Sequence, residues 1–169
     1  MPKVPVLILN GFLGSGKTTL LTSLLVQSHK RQLSIGVVVN DMSELDVDGL
    51  LVAQTEFFEK NDRSFQSIYS CVLSSKKGLK KLSDSLNQIM QTRTPELLII
   101  ETSGSCHPMP LIEFFRTQPQ FKLTGVLTLV DSAMIDQDYD CGKQLVPTMQ
   151  RNVQACLLYT SPSPRDTIR

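Results

Sequence analysis

Gly11-Phe12-Leu13-Gly14-Ser15-Gly16-Lys17-Thr18 packs three glycines, one ammonium and two hydroxyls into eight residues. That spacing, G-x-x-x-x-G-K-[ST], suits a polyphosphate. The glycines let the backbone wrap an anion without side-chain obstruction. Successive N–H groups from about Gly14 to Thr18 would point at a β-phosphate, helped by the positive end of the helix that follows. Lys17 would reach the β- and γ-phosphates, and the Thr18 hydroxyl would ligate magnesium.

A second chemical segment is Leu98-Ile99-Ile100-Glu101-Thr102-Ser103-Gly104. An acid ending an apolar run beside a phosphate loop can hold magnesium directly or through water, and the Gly104 N–H is placed to sense a γ-phosphate. A third is Asn40-Asp41-Met42-Ser43-Glu44-Leu45-Asp46-Val47-Asp48, in which four acids crowd one loop. Next to phosphates such acids repel unless a metal or a moving loop intervenes. One reading is a switch segment in which Glu44 or Asp48 positions metal or water. The other is a solvated acidic loop that caps a helix.

These residues need a frame that brings them together. Apolar runs alternate with helical patterns, which predicts an α/β fold with a parallel sheet and crossover helices. Strands are expected at Val4 to Leu9, Ser34 to Val39, Phe65 to Tyr69, Leu97 to Ile100 and Leu123 to Val130. Helices are expected at Thr18 to Gln27 and Gly78 to Gln91, the second with Leu79, Leu82, Leu86, Ile89 and Met90 on one side. The three chemical segments and Asp131 then all fall at carboxyl ends of strands, where open parallel sheets bind ligands.

A length of 169 residues is enough for one domain with a real core. A net charge of +1 gives no case for a nucleic acid or an acidic membrane surface as partner. The one dense basic spot, Lys76-Lys77 with Lys80-Lys81, reads as a solvated helix face. No apolar run approaches the roughly 20 residues of a membrane helix, and the start carries no signal-peptide pattern. Cys71, Cys106, Cys141 and Cys156 form no CxxC pair, which points to reduced thiols and a cytoplasmic protein. Residues 157–169 hold two prolines and no periodicity, and are expected to be a disordered or non-native tail to a domain spanning residues 1–156.

Taken together, the motifs resemble the CobW-like family of P-loop GTPases, which includes zinc and cobalt metallochaperones. The matching residues are Gly11 to Thr18 with Thr19-Leu20-Leu21, then Val39-Asn40-Asp41-Met42-Ser43-Glu44 with Asp48, then Ile100-Glu101-Thr102-Ser103-Gly104 with Pro108, then Gly125-Val126-Leu127-Thr128-Leu129-Val130-Asp131. The Asn-Asp-Met-Ser-Glu wording is similar to the branch linked to low-zinc responses. The resemblance implies a P-loop NTPase three-layer sandwich with a mostly parallel sheet, incomplete at the C-terminus. It implies GTP and Mg2+ as ligands, with Gly11, Gly14, Ser15, Gly16, Lys17, Thr18, Thr19 and Gly104 around the nucleotide and Thr18 and Glu101 on magnesium. Lys17, Glu44, Asp48 and Glu101 are the candidate catalytic residues of a GTP hydrolase. Zn2+ delivery to a metalloprotein client and a homodimer are further implications.

The sequence departs from the family pattern twice. Where metallochaperones carry Gly-Cys-x-Cys-Cys, this chain has Ser70-Cys71-Val72-Leu73-Ser74-Ser75. One thiolate falls short of the about three protein ligands a zinc site needs, and Cys106 and His107 help only if the fold brings them beside Cys71. Cys71 is thus either a ligand for a transferred metal or a buried structural cysteine. The family also reads guanine with Asn-Lys-x-Asp after a helix like Lys143 to Gln154. Cys156-Leu157-Leu158 could begin that strand, but Tyr159 to Arg169 lacks the motif, so the domain reads as truncated. A nucleotide-binding regulator without metal-chaperone activity is the alternative reading.

Overall fold

The computed structural model describes residues 2–41, 57, 58, 62–131, 147 and 150–156. Five strands form one sheet: β1 (Val4–Gly11), β2 (Ile35–Asp41), β3 (Phe65–Tyr69), β4 (Leu97–Glu101) and β5 (Phe121–Leu129). Their order across the sheet is β3-β2-β4-β1-β5, and every pairing is parallel. Among the described residues three helices pack on it, α1 (Lys17–Lys30), α2 (Lys76–Thr92) and α3 (Met109–Thr117), besides a helical segment at 150–156.

Strand β1 is apolar on both faces because helices cover both faces, as a parallel sheet requires. Val4, Val6 and Ile8 enter one core with Leu82, Leu86 and Ile89 of α2 and Leu111, Ile112 and Phe115 of α3. Leu9 enters the opposite core with Leu21 and Leu25 of α1. Each large side chain fully buried in these cores contributes about 1.5–3 kcal/mol relative to exposure. The layers are therefore α1, sheet, and α2 with α3: the expected α/β three-layer sandwich.

This arrangement creates a crevice where the site is needed. From β1 the chain crosses over one face, through α1, to β2. From β4 it crosses over the other face, through α3, to β5. Neighbouring strands whose connections diverge leave an opening at their carboxyl ends, and β1 and β4 are such neighbours.

Several boundaries differ from expectation. Helix α1 runs to Lys30, past Gln27, and α2 begins two residues earlier than Gly78 because Ser75 caps it, accepting the Gly78 N–H at 3.0 Å. Helix α3 was not expected. Pro108 and Pro110 obscure it, yet proline is favoured in a first helical turn, where its missing N–H costs nothing. Residues 150–156 are helical through Cys156, which therefore does not begin a strand; its thiol approaches the Val126 carbonyl at 2.6 Å. Glu44, Asp48, Cys141 and the tail at 157–169 lie outside the described residues.

Candidate nucleotide site

Strand β1 delivers its last residue, Gly11, to the rim of the sheet. The chain then turns through Phe12 to Ser15 and enters α1 at Gly16, whose φ of 88° lies in the left-handed region that favours glycine. No side chain caps this helix and no acid occupies its first turn. An uncapped helix start exposes N–H groups and the positive end of the dipole together, which is the chemistry an anion needs.

Lys17 is 8% exposed, and its ammonium donates to the Phe12 carbonyl at 2.9 Å. The loop thus folds over its own cation. Behind it, the Thr18 hydroxyl donates to Glu101 Oε1 at 2.9 Å across 83 residues of sequence. The register explains the meeting: Leu9 of β1 pairs with Glu101 of β4, so the acid emerges beside the loop just as the loop begins. Glu101 is 5% exposed. A hydroxyl and a carboxylate side by side at a phosphate loop are hard oxygen donors of the kind Mg2+ takes, with substrate phosphates completing its shell. The donor set fits the ion.

Gly104 comes close to the loop from the other side. A Cβ built there would lie 2.8 Å from the backbone nitrogen of Leu13, so only glycine allows this approach. Ser15 Oγ and Ser103 Oγ are buried without a hydrogen-bond partner among the described residues. Buried polar atoms are normally satisfied, and two such hydroxyls on the loops flanking the crevice suit a polar ligand between them. Gly11, Gly14, Ser15, Gly16, Lys17, Thr18, Glu101 and Gly104 therefore gather on one rim. Thr19 is exposed at the start of α1.

Cys71 sits away from solvent, 8% exposed, in the core beneath α2. The loop that carries it is held by Asn40, which sequence reasoning missed as an organiser. Its Nδ2 donates to the carbonyls of Ile68 at 3.0 Å and Cys71 at 2.8 Å, and its Oδ1 accepts the Leu73 N–H at 3.2 Å. An Asn ending an otherwise apolar strand was the available signal. Cys106 is fully buried in the same core; its thiol donates to the His107 carbonyl at 3.7 Å, and Ser74 lies close enough to act on it. The fold thus brings Cys106 to the 71–75 loop. Burial pushes its thiol pKa up, against the lowering effect of Ser74. His107 Nδ1 accepts the Met109 N–H at 3.3 Å, and its pKa is lowered by burial first and by the Arg151 charge second. Among the described residues no group of three His, Cys, Asp or Glu is placed to hold a metal ion.

A cavity of about 380 Å³ lies at the amino ends of β2 and β3, lined by His29, Ser34, Asp62 and Arg93 among others. No residue of the phosphate motif lines it, so the chemistry belongs to the crevice at the other end of the sheet.

Fold and site together define a P-loop nucleotide-binding domain. Residues 5–158 match the family described as CobW/HypB/UreG, nucleotide-binding domain, and the chain belongs to that family. It is 32% identical over 158 residues to the zinc-regulated GTPase metalloprotein activator 1 of Dictyostelium discoideum, covering 85% of this chain and 33% of that protein. It is 31% identical over 144 residues to the zinc chaperone CobW of Pseudomonas aeruginosa, covering 80% and 37%. The chain thus spans about a third of the length of these relatives. In fold it is similar to the signal recognition particle receptor FtsY of Elizabethkingia anophelis, with a TM-score of 0.58 at 18% identity over 92% of this chain and 48% of that one.

Proposed function

We propose that this chain binds GTP with Mg2+ and hydrolyses it, as the nucleotide-driven part of a protein that handles zinc or cobalt for a metalloprotein client. The observation that carries the nucleotide half is the 2.9 Å contact between Thr18 and Glu101 beneath a helix start that no side chain caps. Lys17 would neutralise charge on the terminal phosphates, the loop amides would orient them, and Gly104 would read the γ-phosphate. Magnesium, held by Thr18 and by Glu101 directly or through water, would supply further charge neutralisation. Glu44 and Asp48 are the proposed residues for placing water or metal from the acidic loop.

The metal half rests on the names of the relatives, a zinc-regulated activator and a zinc chaperone. They support a metal-linked role over a regulator without metal cargo. Cys71 is the proposed contact for a transferred metal. The reading includes a cytoplasmic location, in keeping with cysteine usage, and a homodimer, in keeping with the family.

The test is binding of GTP and of ATP, each with and without Mg2+, followed by hydrolysis. GTP should bind more tightly than ATP, and magnesium should strengthen it. Lys17→Ala should lower hydrolysis by about 100-fold or more. Normal turnover in that variant would remove the assignment. Zinc or cobalt stoichiometry with and without GTP tests the metal half separately.

A further inference from the structure

Behind the phosphate loop, on the face covered by α2 and α3, polar atoms of two buried asparagines and one half-buried threonine are shut away from solvent where apolar packing would be expected. Asn10 is fully buried, Asn152 is 3% exposed, and Asn10 Nδ2, Thr128 Oγ1 and Asn152 Oδ1 have no hydrogen-bond partner among the described residues. Buried polar atoms are normally satisfied, so three together call for a common explanation.

The sheet and the last helical segment bring them to one place. Asn10 and Thr128 are register partners in the β1–β5 pair, so their side chains leave the same face of the sheet. Val126, two residues before Thr128, shares that face, and the Cys156 thiol sits on its carbonyl at 2.6 Å. At the other end of the segment the Arg151 charge acts on His107, at the rim beyond β4. The helix therefore descends from the rim toward Val126. Asn152 is one turn above Cys156, and with the buried Ala155 it turns toward the sheet. One helical turn rises about 5.4 Å, close to the advance of about 6.6 Å from Val126 to Thr128. Asn152 thus stands over Thr128 and Asn10.

The chemistry of the three atoms selects the ligand. The Leu9 carbonyl already accepts the Thr102 N–H at 3.0 Å, so the Thr102 hydroxyl gives its hydrogen to the nearer Asn10 Oδ1 at 2.8 Å. Asn10 Nδ2 is left as a donor, Asn152 Oδ1 as an acceptor, and the Thr128 hydroxyl serves as either. A cation is repelled by the amide hydrogens and an anion by the amide oxygen. A water molecule accepts from the first and donates to the second, and two to four polar partners are what a buried water takes.

We propose that Asn10, Thr128 and Asn152 bind one buried water that ties the helix at 150–156 to the strand carrying the phosphate loop. Because Asn10 immediately precedes Gly11, the bridge fixes the root of that loop against β5 and the helix. It accounts for all three atoms with one molecule, and no direct hydrogen bond joins any two of them in the structure.

A high-resolution crystal structure of the protein tests this. A water within about 3.2 Å of Asn10 Nδ2 and of at least one of the other two atoms is expected. A dry contact, with Asn10 bonded directly to Asn152, would overturn the proposal. In solution, the side-chain amide protons of Asn10 should show a cross-relaxation peak to a long-lived water, and its absence in the unaltered protein counts equally against the bridge. Asn152→Leu should abolish that peak and speed amide exchange in residues 150–156 by about tenfold or more. Thr128→Val, a milder change, should weaken the peak in a folded protein. A peak unchanged in both variants would remove Asn152 and Thr128 from the site.

Discussion

Gly104 shows how one missing atom controls the site. Any side chain there would press on the backbone of Leu13, and backbone cannot rotate out of the way. Gly104→Ala should lower stability by about 1–3 kcal/mol and weaken GTP binding, read by urea denaturation and nucleotide titration; unchanged values for both would mean that the loops separate freely. His107 acts through its proton. Its folded pKa lies below the ordinary histidine value, from burial and then Arg151, so below about pH 6.5 the unfolded chain binds the proton more readily. Stability should therefore fall as pH drops from 6.5 toward the depressed folded pKa and level off beneath it. His107→Gln should flatten that part of the pH–stability curve, measured by thermal melts. The residue scale was also the most legible in sequence: the phosphate motif states its chemistry locally, in eight consecutive residues. The Asn10, Thr128 and Asn152 group was not legible, because only strand register and helix docking unite it.

At the scale of elements, the 70–75 loop is fastened from two sides. Asn40, next to the end of β2, holds it by two hydrogen bonds, at Cys71 and Leu73, with a third to Ile68 of β3, and Cys106, two residues beyond Gly104, lies against it near Ser74. Asn40→Ala would strip partners from two carbonyls and one amide, with an expected loss of about 2–4 kcal/mol in urea denaturation. Asn40→Asp keeps the acceptor but sets a carboxylate oxygen against the two carbonyls, so it should lose at least as much; a clearly smaller loss would show that the carbonyls do not need Asn40 as their donor. Whereas the edge strands β3 and β5 keep exposed positions, strands β1, β2 and β4 read well from sequence because each is a short apolar run covered on both faces. Helix α3 did not, since its two prolines mask nine residues whose apolar side, Leu111, Ile112 and Phe115, is plain only once a core exists to receive it.

For the whole molecule, nucleotide and fold are linked by mass action. GTP with Mg2+ at 100 times its dissociation constant should add about 2.7 kcal/mol of stability, a rise in melting temperature of roughly 5–10 °C for a domain of this size. Lys17→Ala should remove most of that rise; a full rise in the variant would place the ligand elsewhere. The layered α/β architecture was legible from alternating patterns, whereas the strand order was not. Nothing local tells β4 to insert between β1 and β2, and that insertion is what sets Glu101 beside Thr18.

The central place of β1 also bears on how the chain is made. Both neighbours of β1 are synthesised long after it: Val6 waits for Leu98, and Val4 for Phe121. At about 5–20 residues per second, the apolar run that carries the phosphate loop emerges from the ribosome seconds before either strand that will shelter it. During that interval it is a bare, aggregation-prone segment, and folding that depends on such distant pairing is slow. The strand that ends as the best-protected part of the sheet begins as its most vulnerable, and the newborn chain is a natural customer for chaperones until β5 arrives.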